Sequence, residues 1–189
     1  MSQKGLLTVV SGFSGAGKGT LMKALLAKYA DRYALSISAT TRGPREGEQD
    51  GREYFFLKKE EFEQMIEEDA LIEHAQYVGN YYGTPKKYVM EQREAGKDVL
   101  LEIEIQGALK VKEKFPDTLL IFVTPPSAKE LESRLRGRGT ETAEVIEKRL
   151  ARAGEEAVYM DQYDYILVND DLDTCVEELH HLIQSQHAR

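Results

Sequence analysis

The sequence predicts an α/β fold: a three-layer core with a parallel sheet covered by helices on both faces, an inserted α+β lobe and a helical lid. Three observations predict it. Apolar runs suited to buried strands alternate with amphipathic helical patterns along most of the 189 residues. The first run turns through three glycines straight into a helix bearing a lysine. Two polar segments then break the alternation, one rich in Arg, Tyr and Gly, the other charged and almost wholly helical.

The first strand is expected near residues 6–10, Leu6-Leu-Thr-Val-Val10, and it leads into Ser11-Gly-Phe-Ser-Gly-Ala-Gly-Lys-Gly-Thr20. Gly12, Gly15 and Gly17 open backbone conformations closed to other residues, so successive N–H groups can point at phosphate oxygens. The loop of Gly12, Phe13, Ser14, Gly15, Ala16, Gly17, Lys18, Gly19 and Thr20 therefore reads as the phosphate cradle of a P-loop nucleotide-binding protein. A tight strand-to-helix connection is the plainer reading of such glycines. A helix expected over 18–30 starts where the anion would sit, and its free N–H groups, its dipole and Lys18 all favour negative charge. The strict pattern places Ser or Thr directly after the lysine, whereas this chain has Gly19 there and Thr20 next. Gly-Lys-Gly-Thr resembles the adenylate kinase variant, in which Mg²⁺ is held mostly through waters, so a direct ligand role for Thr20 stays open.

Further strands are expected near 34–37, 98–103, 118–123 and 164–168, with helices over 86–95, 107–115, 127–137, 142–158 and 172–186. The polar insertion carries strand-like pieces at 53–57, 71–77 and 80–84 around a helix near 60–68. The chain thus divides into a core (about 1–37, 85–125 and 159–189), a lobe (about 38–84) and a lid (about 126–158) of one domain.

A net charge of −8 argues against a general nucleic-acid or anionic-membrane surface, so a phosphate ligand must be met by clustered cations. Cys175 is the one cysteine, expected to be a packing residue of a terminal helix in a reducing compartment. No apolar run has the length of a membrane span, and a cytoplasmic protein is expected.

Several residues carry candidate chemistry. Arg42 and Arg45 suit a phosphate dianion, or form a solvated turn with Glu46 and Glu48. Glu102 and Glu104, read as one face of a strand end, need a metal, an arginine or a donor-rich ligand. In the lid Arg134 and Arg138 share one helical face and Arg149 and Arg152 another; they could converge on a transferring phosphoryl group or pair with Glu130, Glu155 and Glu156.

The segment Thr40-Thr-Arg-Gly-Pro-Arg-Glu-Gly-Glu-Gln-Asp-Gly-Arg-Glu-Tyr-Phe-Phe56 resembles the signature of guanylate kinases, through Thr40, Thr41, Arg42, Arg45, Glu48, Gly51, Tyr54 and Phe56. The likeness runs from the cradle to Val168-Asn-Asp-Asp-Leu-Asp173. It implies that Arg42, Arg45, Tyr54 and Tyr82 hold the phosphate of GMP, and that Glu73 accepts the two adjacent donors of guanine, with Ser38 and Thr84 directed at the base. It further implies Glu102 beside Mg²⁺ and its waters, Glu104 near the guanine 2-amino group, and Arg134, Arg138 and Arg149 in catalysis, with Asn169 and Asp170 near adenine. Many relatives carry aspartate in place of Glu102 or Glu104. The function implied is transfer of the γ-phosphoryl group of MgATP to GMP, with ATP and GMP as partners and neither nucleic acid nor membrane. A P-loop kinase of AMP or a phosphorylated sugar, and a non-catalytic module that holds phosphorylated peptides, are the alternatives.

Overall fold

The computed structural model describes residues 4–137 and 142–188. In chain order the elements are β1 (Leu7–Gly12), α1 (Lys18–Lys28), β2 (Tyr33–Leu35), β3 (Ser38–Thr40), β4 (Tyr54–Phe56), α2 (Lys59–Glu67), β5 (Leu71–Tyr77), β6 (Asn80–Pro85), α3 (Lys86–Glu94) and β7 (Asp98–Glu102). They continue with α4 (Ile105–Lys114), β8 (Leu119–Thr124), α5 (Ala128–Gly137), α6 (Ala143–Ala157), a 3-10 turn at Met160–Gln162, β9 (Tyr165–Val168) and α7 (Leu172–Gln186).

Five strands form a wholly parallel sheet in the order β2-β7-β1-β8-β9. Its strands are apolar on both faces because both are covered. Val10, Leu100, Ile121 and Val123 pack with Leu21, Met22 and Leu25 of α1 and Cys175, Val176 and Leu179 of α7. Leu7, Val9, Leu101, Leu120 and Phe122 turn the other way, onto Val89 of α3 and Ala108 and Val111 of α4. Burial pushes the Cys175 thiol up to about 12, so it is an inert packing group.

The second sheet has the order β4-β3-β6-β5, with β3 and β4 parallel and the other pairs antiparallel. One of its faces is apolar: Ala39 and Leu71, with Phe55 and Tyr81, pack on Phe62 of α2, and the Phe62 and Tyr81 rings stack at 5.2 Å. The other face carries polar side chains. α5 and α6 make a third cluster from Leu131, Leu135, Ile146 and Ala153, joined to the core by Phe13.

The structure moves several expected boundaries. The strand expected at 34–37 is β2 at Tyr33–Leu35; Ser36 N–H still bonds Leu100 O at 2.8 Å, and the chain then crosses to the second sheet as β3. β3 itself lies at Ser38–Thr40, where no strand was read. The strand expected to reach 103 ends at Glu102, and the helix expected from 107 starts at Ile105, because Glu104 is extended (φ −65, ψ 156) and stands at the helix N-cap. Gly137 closes α5, while Gly139 lies outside the described residues. Among the described residues no helix is long and apolar enough to cross a membrane.

The amino end of the sheet is clasped by Asp98, a carboxylate only 2 % exposed. It accepts from Leu6 N–H at 2.8 Å and Gln184 Nε2 at 2.9 Å, and His187 Nε2 lies 2.8 Å away, so β1, β7 and the end of α7 meet on one group. We expect Asp98→Ala to destabilise the chain by about 3 kcal/mol in urea unfolding, because three partners lose a buried acceptor together. A midpoint within error of the parent would show that the clasp contributes nothing.

Candidate active site

The carboxyl ends of β1 and β7 open onto the glycine loop. The loop is held in shape by Asn169, which follows β9: its buried side chain donates to Ala16 O at 2.8 Å, and its own N–H bonds Thr124 O at 2.8 Å. Gly17 caps α1 in the left-handed conformation (φ 87, ψ 17) with no side-chain cap, which leaves the first N–H groups of α1 open to an anion. A Cβ at Gly17 would stand 2.6 Å from Asn169 Nδ2, so only glycine allows both the turn and the brace.

Lys18 reaches back over the loop, donating to Gly12 O at 2.8 Å and Phe13 O at 3.0 Å. Ser14, Gly15, Gly17, Lys18, Gly19, Thr20, Lys23 and Glu102 line one depression above the helix end. Glu102 is open to solvent along one side but crowded by protein on the others; that crowding raises its pKa, and Lys18 and Lys23 pull it back. Thr20 is exposed at the same depression. One carboxylate, one hydroxyl and open space suit a Mg²⁺ ion that keeps several waters and is shared with substrate phosphates.

The lobe sheet assembles its residues by register. β3 pairs Ser38 with Tyr54, and pairs Ala39 with Gly83, so the next rung sets Ser38 beside Thr84. Thr84 Oγ1 donates to Glu73 Oε1 at 2.7 Å. Tyr54, Ser38, Thr84 and Glu73 thus lie across four strands on the face opposite α2, with Tyr82 two places from Thr84 on the same face. The Tyr54 and Tyr82 rings meet at 6.2 Å. Glu73 is half-buried, and burial raises its pKa, with Thr84 and Lys110 opposing. Its Oε2 has no hydrogen-bond donor among the described residues.

Arg42 lies over the Tyr54 and Phe56 rings at 5.4 and 5.8 Å and donates to Glu48 Oε1 at 2.9 Å. Glu48 Oε2 accepts from Arg45 N–H at 2.7 Å, while the Arg45 side chain is exposed. The pairing of an arginine with Glu48 read from the sequence is present, and it shapes the turn that presents both arginines.

Glu102 and Glu104 do not share a strand face. The strand ends at Glu102, and Glu104, at the cap of α4, is exposed and ion-paired with Arg152, which also donates to Glu156 at 2.9 Å. The α6 arginines diverge: Arg149 Nη1 lies 3.4 Å from Ser14 Oγ of the loop while Arg152 turns to Glu104. Arg134 donates to Glu130 at 2.8 Å, the pairing within its own helix, and to Asn169 O at 2.9 Å, which ties α5 to the loop brace. Arg138 lies outside the described residues. Asp170 is exposed, and the cap of α7 is Asp171, which accepts from Thr174 N–H at 2.9 Å.

Comparison with known proteins bears on this geometry. A family model described as guanylate kinase matches residues 4–186. The chain is 54% identical over 189 residues to a guanylate kinase of Caldanaerobacter subterraneus subsp. tengcongensis, spanning 100% of this chain and 91% of that one. It is 51% identical to a guanylate kinase of Latilactobacillus sakei over 100% of this chain and 93% of the relative. The crystal structure of guanylate kinase from Anaplasma phagocytophilum superposes with a TM-score of 0.75 at 31% identity, covering 100% and 89% of the two chains. Shikimate kinase from Bacteroides thetaiotaomicron, at 16% identity and a TM-score of 0.51 over 95% and 98%, shares the fold alone.

Gly17→Ala should cost about 2 kcal/mol through a side chain at positive φ and loss of the Asn169 brace. It should also weaken nucleoside triphosphate binding at least as much as Asn169→Ala does. Calorimetry and thermal unfolding of the two variants check this; parent-like values for Gly17→Ala would show that the brace does not shape the loop.

Proposed function

The chain belongs to the guanylate kinase family, and we propose from its geometry how it transfers the γ-phosphoryl group of ATP to GMP, giving ADP and GDP. The observation that carries the reading is the rung of Tyr54, Ser38, Thr84 and Glu73 across one face of the lobe sheet. Thr84 holds one Glu73 oxygen and orients the carboxylate. Guanine offers N1–H and the 2-amino group side by side, which such a carboxylate can accept together; adenine presents an acceptor at N1 and is repelled. Ser38 and Thr84 add hydroxyls toward the base.

The same face leads to Tyr82 and to Arg42, stacked over the Tyr54 ring. We assign these three and Arg45 to the GMP phosphate, the arginines as charged forks and the tyrosines as hydroxyl donors. Glu104, paired with Arg152 through one oxygen, is assigned to the guanine 2-amino group.

The loop from Gly12 to Thr20 takes the ATP phosphates on its N–H groups, and Lys18 exchanges the loop carbonyls for phosphate oxygens. Glu102, through water, and Thr20 would hold Mg²⁺, which supplies charge neutralisation when bound. Arg149 approaches the loop at Ser14, and Arg134, seated on Asn169, stands behind it, so both can add positive charge around the transferring group. Asn169 serves the loop first through Ala16, and Asp170 is assigned to the adenine side. GMP already presents an anionic phosphate oxygen, so the side chains need only align the two phosphates in line and exclude water; no covalent enzyme intermediate or general base is required. In this reading residues 38–84 form the GMP lobe and 126–158 the lid. The lone, buried Cys175 suits the reducing cytoplasm.

The test is ADP release from MgATP with GMP, AMP, CMP and UMP offered in turn; release with AMP equal to that with GMP would overturn the assignment of Glu73. Lys18→Ala should lower turnover by about 10²-fold or more while GMP binding survives, as turnover assays beside GMP titrations would show. Glu73→Gln should lower kcat/KM for GMP by about 10²-fold with KM for ATP kept. Protonated Glu73 cannot accept both guanine donors, and burial raises its pKa. Activity toward GMP should therefore be full above that raised pKa and fall as pH drops through it, above the ordinary glutamate range. A pH profile of kcat/KM in which Glu73→Gln keeps the same acid limb would assign that limb to another group.

A further inference from the structure

Thr84 flanks the Glu73 carboxylate on one side, and α4 flanks it on the other. Gly107 lies in the first turn of α4, and a Cβ built on it would stand 3.4 Å from Glu73 Oε2 and 3.8 Å from its Cδ, with Ile103 Cδ1 at 3.4 Å. These three nearest atoms all belong to side chains. Gly107 has no positive φ, so the backbone does not demand glycine here, and glycine is a poor helix former. The missing methyl therefore leaves uncovered the free oxygen of Glu73, with the end of Ile103 equally near.

The neighbouring contacts make this a seat rather than a gap. One turn further along, Lys110 acts on Glu73 by its charge, and one turn beyond that Lys114 donates to Leu71 O at the start of β5, at 3.3 Å. The face of α4 through 107, 110 and 114 thus carries the strand that bears Glu73, and joins the lobe sheet to the helix that follows Glu102. Thr84 fixes Oε1 and the bare helix at Gly107 bounds Oε2.

We propose that Gly107 is a specificity-positioning residue: the absence of a side chain there lets both oxygens of Glu73 present themselves to the adjacent donors of guanine. The inference rests on the reading of Glu73 as the guanine acceptor. A methyl at 107 would lie in van der Waals contact with Oε2, strip water from it and narrow the space through which a donor approaches it, and paired hydrogen bonds need both oxygens accessible in a fixed geometry.

Steady-state kinetics of the full chain carrying Gly107→Ala, beside Glu73→Gln, tests this with GMP and IMP as acceptors. IMP keeps N1–H and lacks the 2-amino group, so the ratio of kcat/KM for GMP to that for IMP reports the second acceptor oxygen. We expect Gly107→Ala to raise KM for GMP about tenfold and to lower the GMP-to-IMP ratio, with KM for ATP unchanged and a melting temperature no lower than the parent's, since alanine favours the helix. Parent-like GMP kinetics in Gly107→Ala, with Glu73→Gln impaired, would overturn the role of Gly107 and leave Glu73 in place. Undiminished GMP use by Glu73→Gln would overturn the underlying reading and the inference with it. A lowered melting temperature with equal losses toward ATP and both acceptors would make Gly107 a packing residue only.

Discussion

The first turn of α1 starts at a left-handed glycine with no side-chain cap, so its N–H groups and the positive end of the helix stay open to an anion, and the surrounding elements keep that turn in place. Uncapped helix ends are costly unless a partner fills them. Asn169, coming off β9, ties the loop to the far side of the sheet through Ala16, and Arg134 of α5 rests on the Asn169 carbonyl. Phe13 packs on Phe122 edge to face at 5.0 Å and reaches the cluster of α5 and α6. The proposed phosphate site is thus shaped by contacts from both ends of the chain, and the parallel sheet supplies the rigid floor.

The second demand is a buried-side charge that must stay useful. A carboxylate withdrawn from water tends to keep its proton, and the raised pKa of Glu73 records that tendency. One hydroxyl and the charge of a neighbouring lysine offset part of it without consuming both oxygens. In the proposed reading the remaining acceptor capacity is what a guanine ring would complete, and the cost of partial burial would become selectivity when the correct base arrives. The lobe sheet achieves this by giving its two faces different work: one is packed on Phe62 of α2, the other lines up polar side chains.

The arginines show how charge is held before any phosphate arrives. Arg42 is paired with Glu48 and stacked on aromatic rings, Arg152 is paired with Glu104 and Glu156, and Arg134 with Glu130. Pairs of this kind at a surface are weak, so a doubly charged phosphate can compete for such a guanidinium at small cost. The acidic balance of the chain fits this arrangement, because Arg42, Arg134 and Arg152 each have an acidic neighbour to leave.

The sequence by itself determined the parallel-sheet core, the glycine loop before α1 and the order of helices, because these follow from local rules: unbroken apolar strands, helical periodicity and the positions of glycine and lysine. It also marked Arg42, Tyr54 and Glu73 by their place in a recognisable pattern. Only the tertiary structure decided which side chains share a face. The rung from Tyr54 through Ser38 and Thr84 to Glu73 depends on the pairing of β3 with both β4 and β6, and β3 is too short and too plain in composition to announce itself. The strand-end pairing read for Glu102 and Glu104 failed for a related reason: where a strand stops is set by its neighbours in the sheet, and an extended residue at a helix cap turned Glu104 toward Arg152 instead. Asn169 as a brace for Ala16, Arg149 above Ser14 and Gly107 beneath Glu73 join residues distant in the chain, and such contacts exist only once packing brings their elements together.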